Sequence, residues 1–298
     1  MMDKVHTQIE EEVAGPLVPV SDGLELYFHI GMHKTGTSFL QEHFFPHIAL
    51  TSFNRLHGFS LHALTHGDLG GKILVSEENL CGFPFSREHV LGHAEVPWTI
   101  QFENSIKNLS SLFPNAHIIM GIRRHGPWLL SLYKQYLHAG GTKPVSQFFD
   151  ISPNDAGIFK QADLLFGRKV ELIERYFPCR CFIYNHDDLC MHRMKLLENL
   201  CEFLGVPIPE ISASDLERWV NRGVGHYQGH LLRVLNQFDR VRIKRRAWSA
   251  SRVFCQVVLA QWPRKKMALE SEIEQFVERH YTADWKRASE ACSRVDHE

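Results

Sequence analysis

Over residues 24–210, short apolar runs alternate with longer stretches whose apolar positions recur every three or four residues. The runs are 26–30 (LYFHI), 72–76 (KILVS), 116–122 (AHIIMGI) and 181–184 (CFIY), each of a length that suits a strand buried on both faces. Between them, Thr37 and Ser38 open a helical pattern through Phe39, Leu40 and Phe44 that ends near Pro46. Further helices are expected over 99–113, stopped at Pro114, and from Pro127, as the first helical residue, to about His138. Residues 158–177 read as mostly helical, and 191–204 as a helix ended by Gly205 with Pro207 beyond. Strands alternating with helices predict an α/β fold, a three-layer parallel sheet with helices on both faces. Residues 47–71 and 81–98 carry no clear period and are read as irregular segments. After Ser212 the pattern is helical alone, over 227–241, 250–261 and 267–287. The expected organisation is a flexible lead-in at 1–22, an α/β core at 23–210 and a helical C-terminal extension at 211–298 packed on the core.

Composition narrows the class without naming a chemistry. A chain of 298 residues with 44% hydrophobic and 22% charged content can bury a sizeable core and reads as an ordinary globular protein. A formal net charge of −1 leaves no global field to recruit nucleic acid or a membrane. Positive charge is concentrated at 240–246 (RVRIKRR) and 264–266, either as a solvated helix face or as a contact for an acidic acceptor or a membrane surface. The acidic N-terminal stretch lacks the apolar segment of a signal or transit peptide. The longest apolar-looking run, 253–262, is too short to span a bilayer and contains Gln256 and Gln261. Seven cysteines in no framework spacing fit a reducing compartment, so a soluble cytoplasmic protein is expected.

One junction carries most of the chemistry. Residues 24–41 read LELYFHIGMHKTGTSFLQ: a strand, a tight polar loop from Gly31 to Gly36, and a helix start. Such a loop aims several backbone N–H groups at one point, the helix adds partial positive charge, and Lys34 adds a full one. It is an anion site. A Walker A loop places its lysine after the second glycine, whereas Lys34 precedes Gly36. No apolar strand ending in aspartate offers a magnesium partner either. This order turns the loop away from ATP and GTP and suits a terminal group that needs no metal. A sulfonate, with less charge than a phosphoryl group, is such a case.

Residues 30–41 (IGMHKTGTSFLQ) resemble the 5′-phosphosulfate loop of sulfotransferases that use 3′-phosphoadenosine 5′-phosphosulfate (PAPS), which looks like HKTGTS followed by L-Q. The resemblance implies a P-loop-like sulfotransferase fold, PAPS as co-substrate without a metal, and a binding loop made of His33, Lys34, Thr35, Gly36, Thr37 and Ser38. The family's second signature is an arginine at a strand end with a serine eight positions on, both serving the 3′-phosphate. Residues 118–136 (IIMGIRRHGPWLLSLYKQY) supply Arg123 and Ser131, and the RR followed by W-x-x-S-x-Y is similar to bacterial members. Arg123 stands where strand gives way to loop and Ser131 about one turn inside the next helix, so both can reach one phosphate. If Arg123 points into the sheet, Arg124 takes its role. Weaker likenesses are 182–189 (FIYNHDDL) to the family's Y-E-D-L segment and 201–207 (CEFLGVP) to its FLG-[VL]-P segment. Residues 221–225 (NRGVG) lie where the family places a basic glycine loop, which makes Arg222 and Gly223 candidates although the full R-K-G-x-x-G-x-W-K form is absent.

Transfer to a hydroxyl or amine needs a base for the acceptor's proton and a donor for charge on the leaving phosphate. Lys34 is the candidate for the second role. For the first, residues 74–80 (LVSEENL) resemble the S-S-E-N-L of carbohydrate sulfotransferases and put Glu78 forward, with Glu77, His33 and His57 left open. An ordinary role for Glu78 is a carboxylate complementing a helix N-terminus. Cys179, Cys181, His186, Cys190 and His192 cluster in sequence but match no usual zinc spacing. The expected protein is a PAPS-dependent sulfotransferase acting on a carbohydrate, glycoconjugate or glycolipid, with no nucleic-acid partner. Peripheral membrane contact between Arg240 and Lys266 is a further expectation. A small-molecule kinase with a variant P-loop and a non-catalytic nucleotide-binding protein are the alternatives.

Overall fold

The structure, a computed structural model, describes residues 23–54, 71–84, 96–178, 180–212, 225–239 and 266–292. Five strands, β1 (Leu24–His29), β2 (Thr51–Asn54), β3 (Gly71–Ser76), β4 (His117–Ile122) and β5 (Cys181–Asn185), form one all-parallel sheet in the order β2-β3-β1-β4-β5. The register sorts alternate side chains onto opposite faces. Leu26 lies beside Ile73 and Phe28 beside Val75 and Ile118, so one face is continuously apolar. On the other face Tyr27 lies beside Leu74, but His29 lies beside Ser76.

Helices cover both faces. On the apolar face pack α2 (Trp98–Leu112), α3 (His125–His138), α4 (Phe166–Tyr176), α6 (His226–Asp239) and α7 (Ser271–Cys292). The opposite face is covered by α1 (Thr37–Phe39) and its continuation, and by α5 (Arg193–Leu204), through Phe39, Leu40, Phe44, Leu197, Leu200 and Leu204. Beyond its first turn α1 widens into a π-helical turn at Leu40–Phe44 and tightens into a 3₁₀ turn at Phe45–His47, which lets the consecutive Phe44 and Phe45 both be fully buried. The α/β class and the layering agree with the sequence pattern.

Some local expectations are corrected. Residues 47–71 are not wholly irregular: Thr51–Asn54 is an edge strand, missed because Phe53 is its one large apolar residue. Helix α3 begins at His125, which makes Pro127 its third residue; the first-turn N–H groups have no intrahelical acceptor, so proline is tolerated there. The stretch 158–177 splits into a 3₁₀ turn, Gln161–Leu164, and α4, and a separate short helix, His186–Met191, precedes α5. Gly205 ends α5 in the left-handed conformation, as expected. Residues 1–22, His57, Cys179, Arg222, Gly223, the basic run 240–246 and the expected helix at 250–261 lie outside the described residues.

Candidate active site

The loops at the carboxyl ends of β1, β3, β4 and β5 gather on one sheet edge, at the point where the strand order reverses about β1. After β1 the chain turns sharply, with Lys34 at φ 66° and Gly36 at φ 99°. A β-carbon at Gly36 would overlap Leu189, and one at Gly31 would sit 2.5 Å from Thr37 Oγ1, so both glycines are required by close approach. The buried Thr35 turns its hydroxyl inward to donate to the Met32 carbonyl. The N–H groups of Lys34, Gly36, Thr37 and Ser38 find no acceptor among the described residues. Trp128 of α3 fixes the loop from outside, its Nε1 donating to the His33 carbonyl at 2.7 Å.

Beneath the loop lies a buried polar network that the sequence reading did not anticipate. His29 Nδ1 is 2.7 Å from Ser76 Oγ, and its Nε2 is 3.3 Å from the Tyr184 hydroxyl. Gln41 Nε2 donates to both the carbonyl and the hydroxyl of Ser76 at 3.0 Å. Complete burial pushes His29 down to about 3, so it is neutral at physiological pH. Gly121 makes room for this arrangement, because a β-carbon there would meet Tyr184 Cζ at 2.5 Å and Thr35 Oγ1 at 2.7 Å. The signal was present in the register: polar residues on the inner face of two adjacent strands must find each other.

The two arginines after β4 diverge. Arg123 turns toward the loop, its Nη1 donating to the Lys34 carbonyl at 3.2 Å, while its Nε is buried without a partner. Arg124 points outward, 66% exposed, pairs with Asp187 at 3.1 Å and lies 5.9 Å from the Trp285 ring. The sequence put Arg123 forward and kept Arg124 for the case that Arg123 entered the sheet; Arg123 is the one that faces the loop. Ser131 lies half-buried on α3, and Lys134, which the sequence reading passed over, lies three residues further on. Burial, and then Arg123, hold the Lys134 ammonium below its usual value. Lys34 is likewise lowered, by burial first and also by Arg123, with Glu78 acting in the opposite sense.

On the β3 side, Glu77 and Glu78 have different tasks. Glu77 caps the 3₁₀ turn Glu78–Cys81 by accepting from the Asn79 N–H at 3.0 Å. Glu78, with 39% of its side chain exposed, approaches His33 Nδ1 at 3.6 Å, an ion-pair distance rather than a hydrogen bond. His33 is itself buried and points its Nε2 at the Gly82 carbonyl, 3.2 Å away, so that nitrogen carries a proton. Burial opposes the charged imidazole, but the Cys81 sulfur and the Glu78 carboxylate outweigh it and raise His33 to about 10. The His33 side chain therefore serves the β3 side of the site rather than the anion loop that contains it. Trp98 continues this wall, donating to the Cys81 carbonyl at 2.7 Å and stacking on Trp128 at 5.8 Å.

His186 and Cys190 lie close, with Sγ 3.6 Å from Nδ1, yet among the described residues no three His, Cys, Asp or Glu side chains are placed to hold a metal ion. No described helix is long and apolar enough to cross a membrane.

Among solved structures, the chain is similar to a sulfotransferase from Alicyclobacillus acidocaldarius, at 14% identity and a TM-score of 0.47, over 65% of this chain and 85% of that one. It is also similar to mouse sulfotransferase SULT7A1 complexed with PAP, at 13% identity and a TM-score of 0.40, over 72% and 74% of the two chains. No family model and no curated protein matches the sequence. At this distance no residue role passes across, and the site is read from its own residues.

Proposed function

We propose that the chain is a sulfotransferase that moves a sulfonate group from PAPS to a hydroxyl or amine of a carbohydrate or glycoconjugate. One observation carries the reading: the two motifs that resemble sulfotransferase signatures, far apart in sequence, meet where Arg123 donates to the backbone of Lys34. Two side-chain polar atoms beside that junction, Thr37 Oγ1 and Arg123 Nε, are buried without a hydrogen bond. Neither Lys34 nor Arg123 forms an ion pair with a described residue. Open loop N–H groups and two cations outside any ion pair suit a polyanionic nucleotide.

The donor supplies an activated sulfur: the acceptor oxygen bonds to it, the bond from sulfur to the 5′-phosphate oxygen breaks, and the acceptor's proton leaves. Lys34 and the loop N–H groups hold the 5′ end and stabilise charge on the departing phosphate. Arg123 and Ser131 hold the 3′-phosphate. Glu78 takes the acceptor's proton, and the buried His33 orients its carboxylate. Glu77, engaged as a cap, is the weaker candidate for base. The carbohydrate acceptor rests on the likeness of residues 74–80 to carbohydrate-type members.

Thermal stabilisation tests the nucleotide. Adenosine 3′,5′-bisphosphate (PAP) is expected to raise Tm clearly, and 5′-AMP and ATP–Mg much less. Stabilisation by ATP–Mg without the bisphosphate would sink the reading in favour of a kinase. A screen of glycan acceptors with PAPS, scored by sulfate incorporation, tests the acceptor class.

A further inference from the structure

The buried network beneath the loop runs in one direction. Gln41 Nε2 lies 3.0 Å from the Ser76 carbonyl, which can only accept, so the amide nitrogen faces that way. The same nitrogen donates to Ser76 Oγ at 3.0 Å. Ser76 in turn gives its own proton to His29 Nδ1, 2.7 Å away. Neutral His29 then carries its one ring proton on Nε2, where it meets the Tyr184 oxygen at 3.3 Å. That leaves the Tyr184 proton turned toward the loop. A β-carbon on Gly121 would lie 2.6 Å from the Tyr184 hydroxyl and 2.7 Å from Thr35 Oγ1, so the two oxygens sit side by side over that glycine. Thr35 spends its proton on the Met32 carbonyl and accepts from Tyr184.

The series of donors thus starts on a side-chain amide and ends on a carbonyl of the loop, with each proton used once. Thr37 stands apart from it. A β-carbon on Gly31 would lie 2.5 Å from Thr37 Oγ1 and 3.1 Å from His29 Nε2, yet this hydroxyl, 3% exposed, has no hydrogen-bond partner among the described residues. Apolar side chains of the same shape would fill this part of the core without polar groups to satisfy. What the polar set adds is a fixed direction of bonding, which a packed hydrocarbon does not have. We propose that His29 and Tyr184 are positioning residues for the anion loop: they pin Thr35 from below, which holds the turn open-handed and leaves the Thr37 hydroxyl to donate to the anion. In the sulfotransferase reading, on which this inference rests, that anion is the 5′ end of the nucleotide.

Calorimetric PAP titration of the full chain tests this as a double-mutant cycle of Tyr184→Phe and Thr35→Val. Each single change is expected to weaken PAP binding by about fivefold, the worth of one neutral hydrogen bond, and the pair to be no weaker than Thr35→Val alone. Residues that merely fill the core would give losses that multiply. Multiplying losses, or a Tyr184→Phe protein that binds PAP like the wild type, overturn the inference and leave the sulfotransferase reading standing. Where either variant fails to fold or to bind, two changes at His29 decide instead. His29→Gln keeps a donor for Tyr184 and is expected to hold PAP affinity. His29→Asn reaches only Ser76 and is expected to lose about fivefold. Equal affinities for these two overturn the inference. A wild type that does not bind PAP overturns the sulfotransferase reading, and this inference with it.

Discussion

The two halves of the site are held in different ways. The half that follows β1 and β4 is fixed by backbone geometry and buried donors: two positive φ angles, the Trp128 bond to the loop and the Arg123 bond to Lys34. The half that follows β3 is a four-residue 3₁₀ turn whose chemistry depends on a half-exposed carboxylate beside a buried imidazole. In the proposed function the first receives the charge of the nucleotide. In the same reading the second acts through the protonation states of its side chains. Substitutions should therefore separate binding from turnover according to the half they touch.

The largest separation is expected between Glu78→Gln and Lys34→Ala. With Glu78 as the proposed base, its loss should lower kcat by about 10²–10⁴ while PAP affinity is unchanged. Loss of the lysine should lower kcat by about 10²–10³ and weaken PAP binding as well. Steady-state kinetics with calorimetric PAP titration reads both; a Glu78→Gln enzyme with normal turnover would remove the β3 half from the chemistry.

A smaller effect divides the neighbouring arginines. Arg123→Ala should weaken PAP binding by about 10–100-fold, the worth of a charge-assisted bond at a partly buried site. Arg124→Ala breaks an exposed pair and should change affinity by no more than a few-fold, roughly 0–1 kcal/mol. Equal losses would mean that the outward arginine also reaches the ligand.

A separate effect is in stability, and here the halves have opposite signs. In the folded chain His29 takes a proton only near pH 3, whereas the ordinary value is 6.5, so its neutral burial destabilises the fold increasingly as pH falls below 6.5. His33 is raised to about 10, so its contribution is full below 6.5 and is lost as pH rises toward 10. Each limb has a slope of up to about 1.4 kcal/mol per pH unit. Urea midpoints across pH should show His29→Asn flattening the acid limb and His33→Gln the alkaline one.

Much of the first half was legible in the sequence, because its constraints are local. Glycine positions, lysine order and the spacing of Arg123 and Ser131 are all read along the chain. The rest depends on register and on which way a side chain turns. His29 meets Ser76 because β1 and β3 pair as they do, and nothing in residues 24–41 announces that partner. His33 belongs to the loop in sequence and to the β3 side in space. The edge strand Thr51–Asn54 went unread because a strand exposed along one edge needs few apolar residues.

Trp128 makes the molecule its own optical reporter. The indole is fully buried, stacked on Trp98 and joined through its N–H to the backbone of the residue before Lys34. An anion bound in the loop as proposed would alter the electric field across that chromophore, one of six tryptophans, and a change in the protein's ultraviolet emission on adding nucleotide is the expected sign of it.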